Sequence, residues 1–205
     1  PSRGEVWAVG PDGRAADIDR AVQAARRACR EGPWRNLTAS ERARLLRRVG
    51  DLVSARAADL AALESRDNGK AIRETGPEVS AVAEMYYYWA GAADKVQGET
   101  IRVGPQSFNF TLHEPIGVVG AIIPWNSPLS LFAAKVGAIL AAGNTVVVKP
   151  AEEAACTSLA FARFFEEAGF PPGVVNVVTG LGAEAGDALV RHPDVGKITF
   201  TGETA

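Results

Sequence analysis

The stretch Gly117-Val-Val-Gly-Ala-Ile-Ile-Pro-Trp-Asn-Ser-Pro-Leu129 decides the fold. Residues 117–123 form a near-continuous apolar run of strand length, which suits a strand covered on both faces rather than one with a wet side. Pro124-Trp-Asn126 ends the run. Ser127 is placed to cap a helix, and Pro128 suits its first turn, where an N–H would have no intrahelical partner. The helix this predicts carries Leu131, Ala134, Val136, Ile139 and Leu140 and stops at Gly143.

Downstream the alternation repeats. Thr145-Val-Val-Val-Lys149 predicts a second strand closed by Pro150, and Leu159–Ala168 a helix ended by Gly169. Val174-Val-Asn-Val-Val178 predicts a third strand, Ala183–Arg191 a helix, and Lys197-Ile-Thr-Phe200 a fourth strand. Three successive strand-helix-strand crossovers predict an α/β fold with a doubly wound, Rossmann-like parallel sheet, each crossover right-handed.

Upstream the signals are helical. A first helix is expected from Asp17 as N-cap, with Ile18, Ala21, Val22, Ala25, Ala28 and Cys29 along its buried stripe. A second is expected from the capping box Thr38-Ala-Ser-Glu41 to a stop at Asn68-Gly69, and a third after Pro77, with Tyr86, Tyr87 and Trp89 on an aromatic packing stripe. Segment 96–114 is short of helix signals and rich in Gly, Thr and Phe. The chain thus divides into a helical block (1–95), a connecting segment (96–114) and a strand-helix block (115–205).

Composition narrows the function. Of 205 residues, 47% are hydrophobic and 22% charged, a globular mix, and the formal charge of -2 argues against nucleic-acid binding driven by bulk charge. Arginines crowd the first 56 positions, but on amphipathic helices they read as solvated faces. No apolar run approaches the ~20 residues of a membrane span, and Pro1-Ser-Arg-Gly-Glu5 does not read as a signal peptide. The expectation is a soluble, cytoplasmic protein without membrane or nucleic-acid partners. Cys29, Cys156, His113 and His192 are too few for a disulfide framework or a metal site.

Three places carry chemistry. Gly180-Leu-Gly182-Ala-Glu-Ala-Gly186 follows a strand and opens a helix, as a dinucleotide-binding loop does, although a tight turn of small residues reads the same way. An ordinary Rossmann reductase would place that loop after its first strand, whereas here it follows the third. Lys149 and Glu152 stand at the carboxyl end of the second strand, where a carboxylate accepts from ribose hydroxyls and repels a 2′-phosphate; an exposed charge pair is the alternative. Asn126, between a strand and a helix start, either donates its amide to a developing oxyanion or is an ordinary turn residue. No nucleophile is evident: Cys29 lies on a helix stripe, Cys156 at a helix start without a base near it in sequence, and Glu64 and Glu114 lack a partner.

Taken together, Glu114-Pro-Ile-Gly-Val-Val-Gly-Ala-Ile-Ile-Pro-Trp-Asn-Ser-Pro-Leu129, Ala142-Gly-Asn-Thr-Val-Val-Val-Lys-Pro-Ala-Glu152, Gly173–Val178 and Ile198-Thr-Phe-Thr-Gly202 resemble the aldehyde dehydrogenase superfamily. Pro33-Trp-Arg35, Ser40-Glu-Arg42 and Leu63-Glu-Ser-Arg-Asp-Asn-Gly-Lys70 fit the same pattern. The resemblance implies that Asn126 helps form the oxyanion hole. It implies that Ile122, Ile123, Pro124 and Trp125 wall the nicotinamide and its ribose, and that Lys149 and Glu152 hold the adenosine ribose. Gly182 and Gly186 would lie at the adenine, and Phe200, Thr201 and Gly202 near the pyrophosphate. Glu152 favours NAD over NADP. Many members have Ser where this chain has Glu203, which puts a phosphate contact from that side chain in doubt; some semialdehyde-oxidising branches look similar there.

The activity implied is oxidation of an aldehyde, or a semialdehyde, to a carboxylic acid: a cysteine thiolate adds to the carbonyl, hydride passes to NAD, and a Glu-activated water releases the acid. The family's nucleophilic Cys and general-base Glu come later than Ala205. A fragment of a longer chain, inactive and prone to self-association alone, is therefore expected, with 96–114 as the hairpin that joins subunits of a homo-oligomer. A non-catalytic nucleotide-binding or assembly module is the alternative.

Overall fold

The computed structural model describes residues 4–203, so the outermost ends of the first and last blocks lie outside the described residues. Four parallel strands form the central sheet: β3 (Val118–Ile123), β4 (Thr145–Pro150), β5 (Val175–Val177) and β6 (Val195–Phe200). Their spatial order is β5-β4-β3-β6. The chain steps outward from β3 through α5 (Pro128–Ala141) to β4 and through α6 (Cys156–Ala168) to β5. It then returns through α7 (Asp187–Arg191) to the far side of β3. That reversal is the doubly wound arrangement, and it opens a crevice between the carboxyl ends of β3 and β6.

Alternation along the strands explains the layers. Ala121, Ile123, Val146 and Val148 face a large core with α5, α6 and three earlier helices: α2 (Ala39–Ala55), α3 (Ala57–Asn68) and α4 (Ile72–Ala92). Val118 and Val147 face the other way, onto α1 (Ala15–Arg30) and α7, where Ile18, Val22, Ala25 and Leu189 are buried. The first helix of the chain is thus a layer of the sheet. At the centre of the large core Tyr86, Phe132, Phe161 and Phe165 pack at ring distances of 5.2–6.0 Å, each pair adding about 0.5–1.5 kcal/mol beyond area burial.

Several helix boundaries differ from the sequence expectation. Helix α1 begins at Ala15 with Arg14 as N-cap, and Asp17 instead accepts from the Arg14 N–H at 2.8 Å, the reach-back half of a capping box. Cys29 is only half-buried. The expected second helix breaks at Arg56, whose backbone leaves the helical region (φ −122°, ψ 24°), so α2 and α3 are separate; its guanidinium binds Glu167 and covers the Phe164 ring at 4.8 Å. Helix α4 starts before Pro77, at Ile72, and in this first part buried Thr75 donates to the Ala61 carbonyl of α3 at 3.2 Å. Residues Gly182–Gly186 form a wide π-type turn ahead of a short α7.

Segment 96–114 contains an antiparallel hairpin, β1 (Thr100–Gly104) with β2 (Ser107–Phe110). Val103, Phe108, Phe110 and Leu112 are exposed on or beside it. Among the described residues no helix is long and apolar enough to cross a membrane.

Candidate functional site

Register puts the predicted residues at the tips of three adjacent strands. Ile122 pairs with Lys149 of β4 on one side and Phe200 of β6 on the other. In a parallel ladder paired residues share a face, so the three side chains form one row facing the α1/α7 side. The Thr201 N–H donates to the Ile122 carbonyl at 3.1 Å and carries that row past the end of β6.

The β4 tip is fully assembled. Lys149 is 3% exposed, and its Nζ donates to Glu152 Oε2 at 2.6 Å. Glu152 Oε1 accepts from the Gly182 N–H at 3.4 Å, so one carboxylate links the lysine to the glycine turn. Burial pushes the Glu152 carboxyl up, but the hydrogen bonds from Lys149 and from backbone N–H groups outweigh it, and the net shift is downward. Glu152 is an anion near neutral pH. The glycine turn is tied to the N-terminal segment: the Gly13 N–H donates to the Thr179 carbonyl at 3.1 Å, and the Thr179 hydroxyl bonds the Pro11 carbonyl. Gly180 sits at φ +137°, and a Cβ there would stand 2.1 Å from the Gly13 oxygen. At Gly182 and Gly186 a Cβ would meet nothing within 4 Å.

The β3 tip is different. Trp125 is 56% exposed and Asn126 is exposed, while Pro124 is half-buried. Ser127 is the N-cap residue of α5, but its side chain makes no capping hydrogen bond. Its Oγ instead accepts from Lys70 Nζ at 2.8 Å, and the same ammonium binds Glu78 Oε1 at 2.6 Å. The cap comes from another helix: the Leu129 N–H donates to Glu64 Oε2 at 3.1 Å. Glu64 therefore has the partner that sequence reading could not supply. It is completely buried and its Oε1 has no partner. Burial raises its pKa to about 7, against the opposing hydrogen bond from Leu129.

The remaining predicted residues fall into two groups. Gly202 and Glu203 are exposed beyond β6, and Thr201 is half-buried there. Ile123 stands apart, because its side chain points into the large core and is 1% exposed. Neither thiol is activated: burial pushes both up, and beside Asp67 that of Cys156 reaches about 11. Among the described residues no group of three His, Cys, Asp or Glu side chains is placed to hold a metal ion.

Sequence reading passed over Lys135, which lies among alanines on α5. Its Nζ donates to Thr199 Oγ1 of β6 at 3.0 Å, and burial lowers its pKa. A cleft of about 430 Å³ takes in Glu152 and the Thr179–Leu181 turn, with Trp7, Asp12, Asp67 and Cys156 also in its lining. Glu5, Asp12, Asp67, Glu152 and Glu153 make that lining acidic, which disfavours phosphates within it.

The sheet thus brings a charged pair at one strand tip and an exposed amide at the next beside its topological switch point, the place where open parallel sheets bind ligands. The model of the aldehyde dehydrogenase family matches residues 1–205, and the chain belongs to that family. It is 52% identical over its whole length to (Z)-2-((N-methylformamido)methylene)-5-hydroxybutyrolactone dehydrogenase of Acinetobacter baylyi, covering 43% of that protein. It is 50% identical to the mitochondrial aldehyde dehydrogenase of Equus caballus, covering 41% of it. The solved NAD+ complex of aldehyde dehydrogenase from Bacillus cereus superposes with a TM-score of 0.95 at 48% identity, over 97% of this chain and 40% of that one. The chain spans about two fifths of the length of the relatives it matches.

Proposed function

We propose that these residues form the cofactor-binding part of an NAD-dependent enzyme that oxidises an aldehyde to a carboxylic acid. The nucleophilic cysteine and the general base belong to the rest of the family's chain. The observation that carries the reading is the Lys149–Glu152–Gly182 link at the β4 tip. An adenosine ribose offers two hydroxyls. Lys149 is a donor to them and the Glu152 carboxylate an acceptor, while the open space at Gly182 and Gly186 admits a flat base against backbone. The fit supports NAD, whose bound nicotinamide accepts the hydride of the reaction.

The chain's own contributions follow from this placement. Ile122, Pro124 and Trp125 offer apolar surface at the reactive end, and Phe200, Thr201 and Gly202 line the path between the two ends. The exposed amide of Asn126 donates to the carbonyl oxygen as charge gathers on it, a contact worth about 10²–10³ in rate where such donors have been removed. Glu203 is exposed and leaves the phosphates to backbone donors. Glu152 also sets the cofactor: a 2′-phosphate beside its carboxylate is repelled, so NADP binds more weakly. The apolar hairpin at 96–114 suits a contact between copies of the chain, and residues 1–95 with 115–205 act as one cofactor-binding unit. Both thiols here are held neutral, so we propose that the 205 residues alone bind cofactor without turning over aldehyde. The test is the rate of NAD reduction with an aldehyde, which is expected to be absent for these residues alone and present for the complete gene product; turnover by the 205 residues would overturn the division of labour.

A further inference from the structure

Helix α3 carries two acidic residues one turn apart, and each reaches the N-terminus of a different crossover helix. Glu64 accepts from the Leu129 N–H at the start of α5, and Asp67 accepts from the Cys156 N–H at 2.8 Å at the start of α6. These helices follow β3 and β4, the strands whose tips carry Asn126 and the Lys149–Glu152 pair. Lys70, just past the same helix, adds a third hold by binding Ser127. Residues 124–127 are thus gripped from behind at Ser127 and Leu129, on either side of Pro128, while no side-chain hydrogen bond holds Asn126 itself.

The composition of this grip is unusual for a stabilising device. Glu64 is wholly buried, its second oxygen lacks a partner, and Glu78 Oε2 on α4 lacks one as well. A buried, half-satisfied carboxylate costs stability. An apolar residue in the core with a serine cap on α5 would hold the helix more cheaply, and Ser127 is present but employed elsewhere. What the buried carboxyl does provide is a fixed anchor for the first turn of α5, immediately after the oxyanion amide. Oxyanion donors depend on position to within fractions of an ångström.

We infer that Glu64 and Lys70 are positioning residues, which act through the 124–127 turn to aim the Asn126 amide at the reacting carbonyl oxygen. The inference rests on the oxyanion role proposed above for Asn126. Glu64 touches neither cofactor nor substrate in this arrangement; its effect passes through Leu129 and Ser127 to the residue before them. Asp67 does the same service for the start of α6 and hence for the cofactor end.

The test uses the complete gene product and separates kcat from KM. Asn126→Ala is expected to lower kcat by about 10²–10³. Glu64→Ala is expected to lower kcat by about tenfold, with the KM for NAD changed less than about twofold, because only the aim of the amide is lost. Glu64→Gln keeps an acceptor for Leu129 and is expected to restore kcat to within about threefold of the parent. The double variant Asn126→Ala/Glu64→Ala should be no slower than Asn126→Ala alone, since a misaimed amide that has been deleted cannot be misaimed further. If Glu64→Ala does not fold, Lys70→Met and Ser127→Ala release the second hold without emptying the core and should show the same non-additivity with Asn126→Ala. Additive losses, or a loss confined to the KM for NAD, would overturn the inference while leaving the oxyanion reading intact. An Asn126→Ala enzyme with unchanged kcat would overturn that reading itself.

Discussion

The tips of β4 and β3 lie side by side in one sheet and are built on opposite principles. At β4 the functional side chains hold one another: Lys149 binds Glu152, and Glu152 reaches the glycine turn. At β3 the Asn126 side chain is exposed, and the turn after it is held by Glu64 of α3 and by Lys70 just past that helix. The difference fits the two tasks proposed for the tips. A ribose is recognised by a preset pattern of donors and acceptors, so its partners are fixed in advance. An oxyanion exists only transiently, so its donor is kept uncommitted and its backbone is fixed instead.

The largest expected effect breaks the β4 side. Gly180→Ala places a Cβ against the Gly13 carbonyl at a backbone angle that L-residues rarely adopt, which should cost about 3 kcal/mol or more. Denaturant unfolding checks the cost, and weakened NAD binding should accompany it because the glycine turn must shift. A variant as stable as the parent would mean that the turn is not pinned by residues 11–13.

The next effect is similar in size and belongs to the β3 side. Glu64 titrates at about 7 when folded, against an ordinary 4.5, with Asp67 beside it on α3, Glu78 on α4 and Lys70 facing it. Between those values the folded state holds a proton that the unfolded state has released. Stability is therefore lost as pH rises from about 4.5 through 7, by about 3 kcal/mol in all. Glu64→Gln removes this slope. Its stability relative to the parent should improve between pH 5 and pH 8, as read by urea midpoints at both pH values, and a constant difference would place the charge elsewhere.

How much of this was legible in the sequence follows from distance along the chain. Strands β3, β4 and β5 are readable as apolar-rich runs between turn residues and β6 from its Ile-Thr-Phe end, while Lys149 and Glu152 are readable because they stand three residues apart at a strand end. Ser127 stands at the N-cap of α5 as its position implies, but its hydroxyl bonds Lys70, 57 residues away, a partner with no local signal. Glu64 was left unpartnered because Leu129 is 65 residues distant. The break at Arg56 carries no local signal, since Ser54-Ala-Arg-Ala-Ala58 holds neither Gly nor Pro. Lys135 was hidden by its alanine neighbours, which carry no sign of which helix face meets β6.

Smaller effects sharpen the comparison. Glu152→Ser removes the charge that opposes a 2′-phosphate and should narrow the NAD/NADP preference by about tenfold, or ~1.4 kcal/mol, read from the two KM values; kcat with NAD should hardly move, in contrast to Asn126→Ala. An unchanged preference would separate Glu152 from the ribose. Smallest is Thr38→Ala, far from both tips. It removes the cap at which Thr38 Oγ1 accepts from the Glu41 N–H at 3.3 Å and should cost about 1 kcal/mol, with neither kcat nor cofactor preference altered.

The central claim is that the β4 tip seats the adenosine end of NAD. Calorimetric titration of NAD into the complete gene product and its Lys149→Met variant tests it most directly. Saturable binding to the parent is expected, with affinity at least about tenfold lower for the variant, since the substitution removes a buried donor and leaves Glu152 without its partner. Equal affinities, or no heat from NAD with the parent, would contradict it.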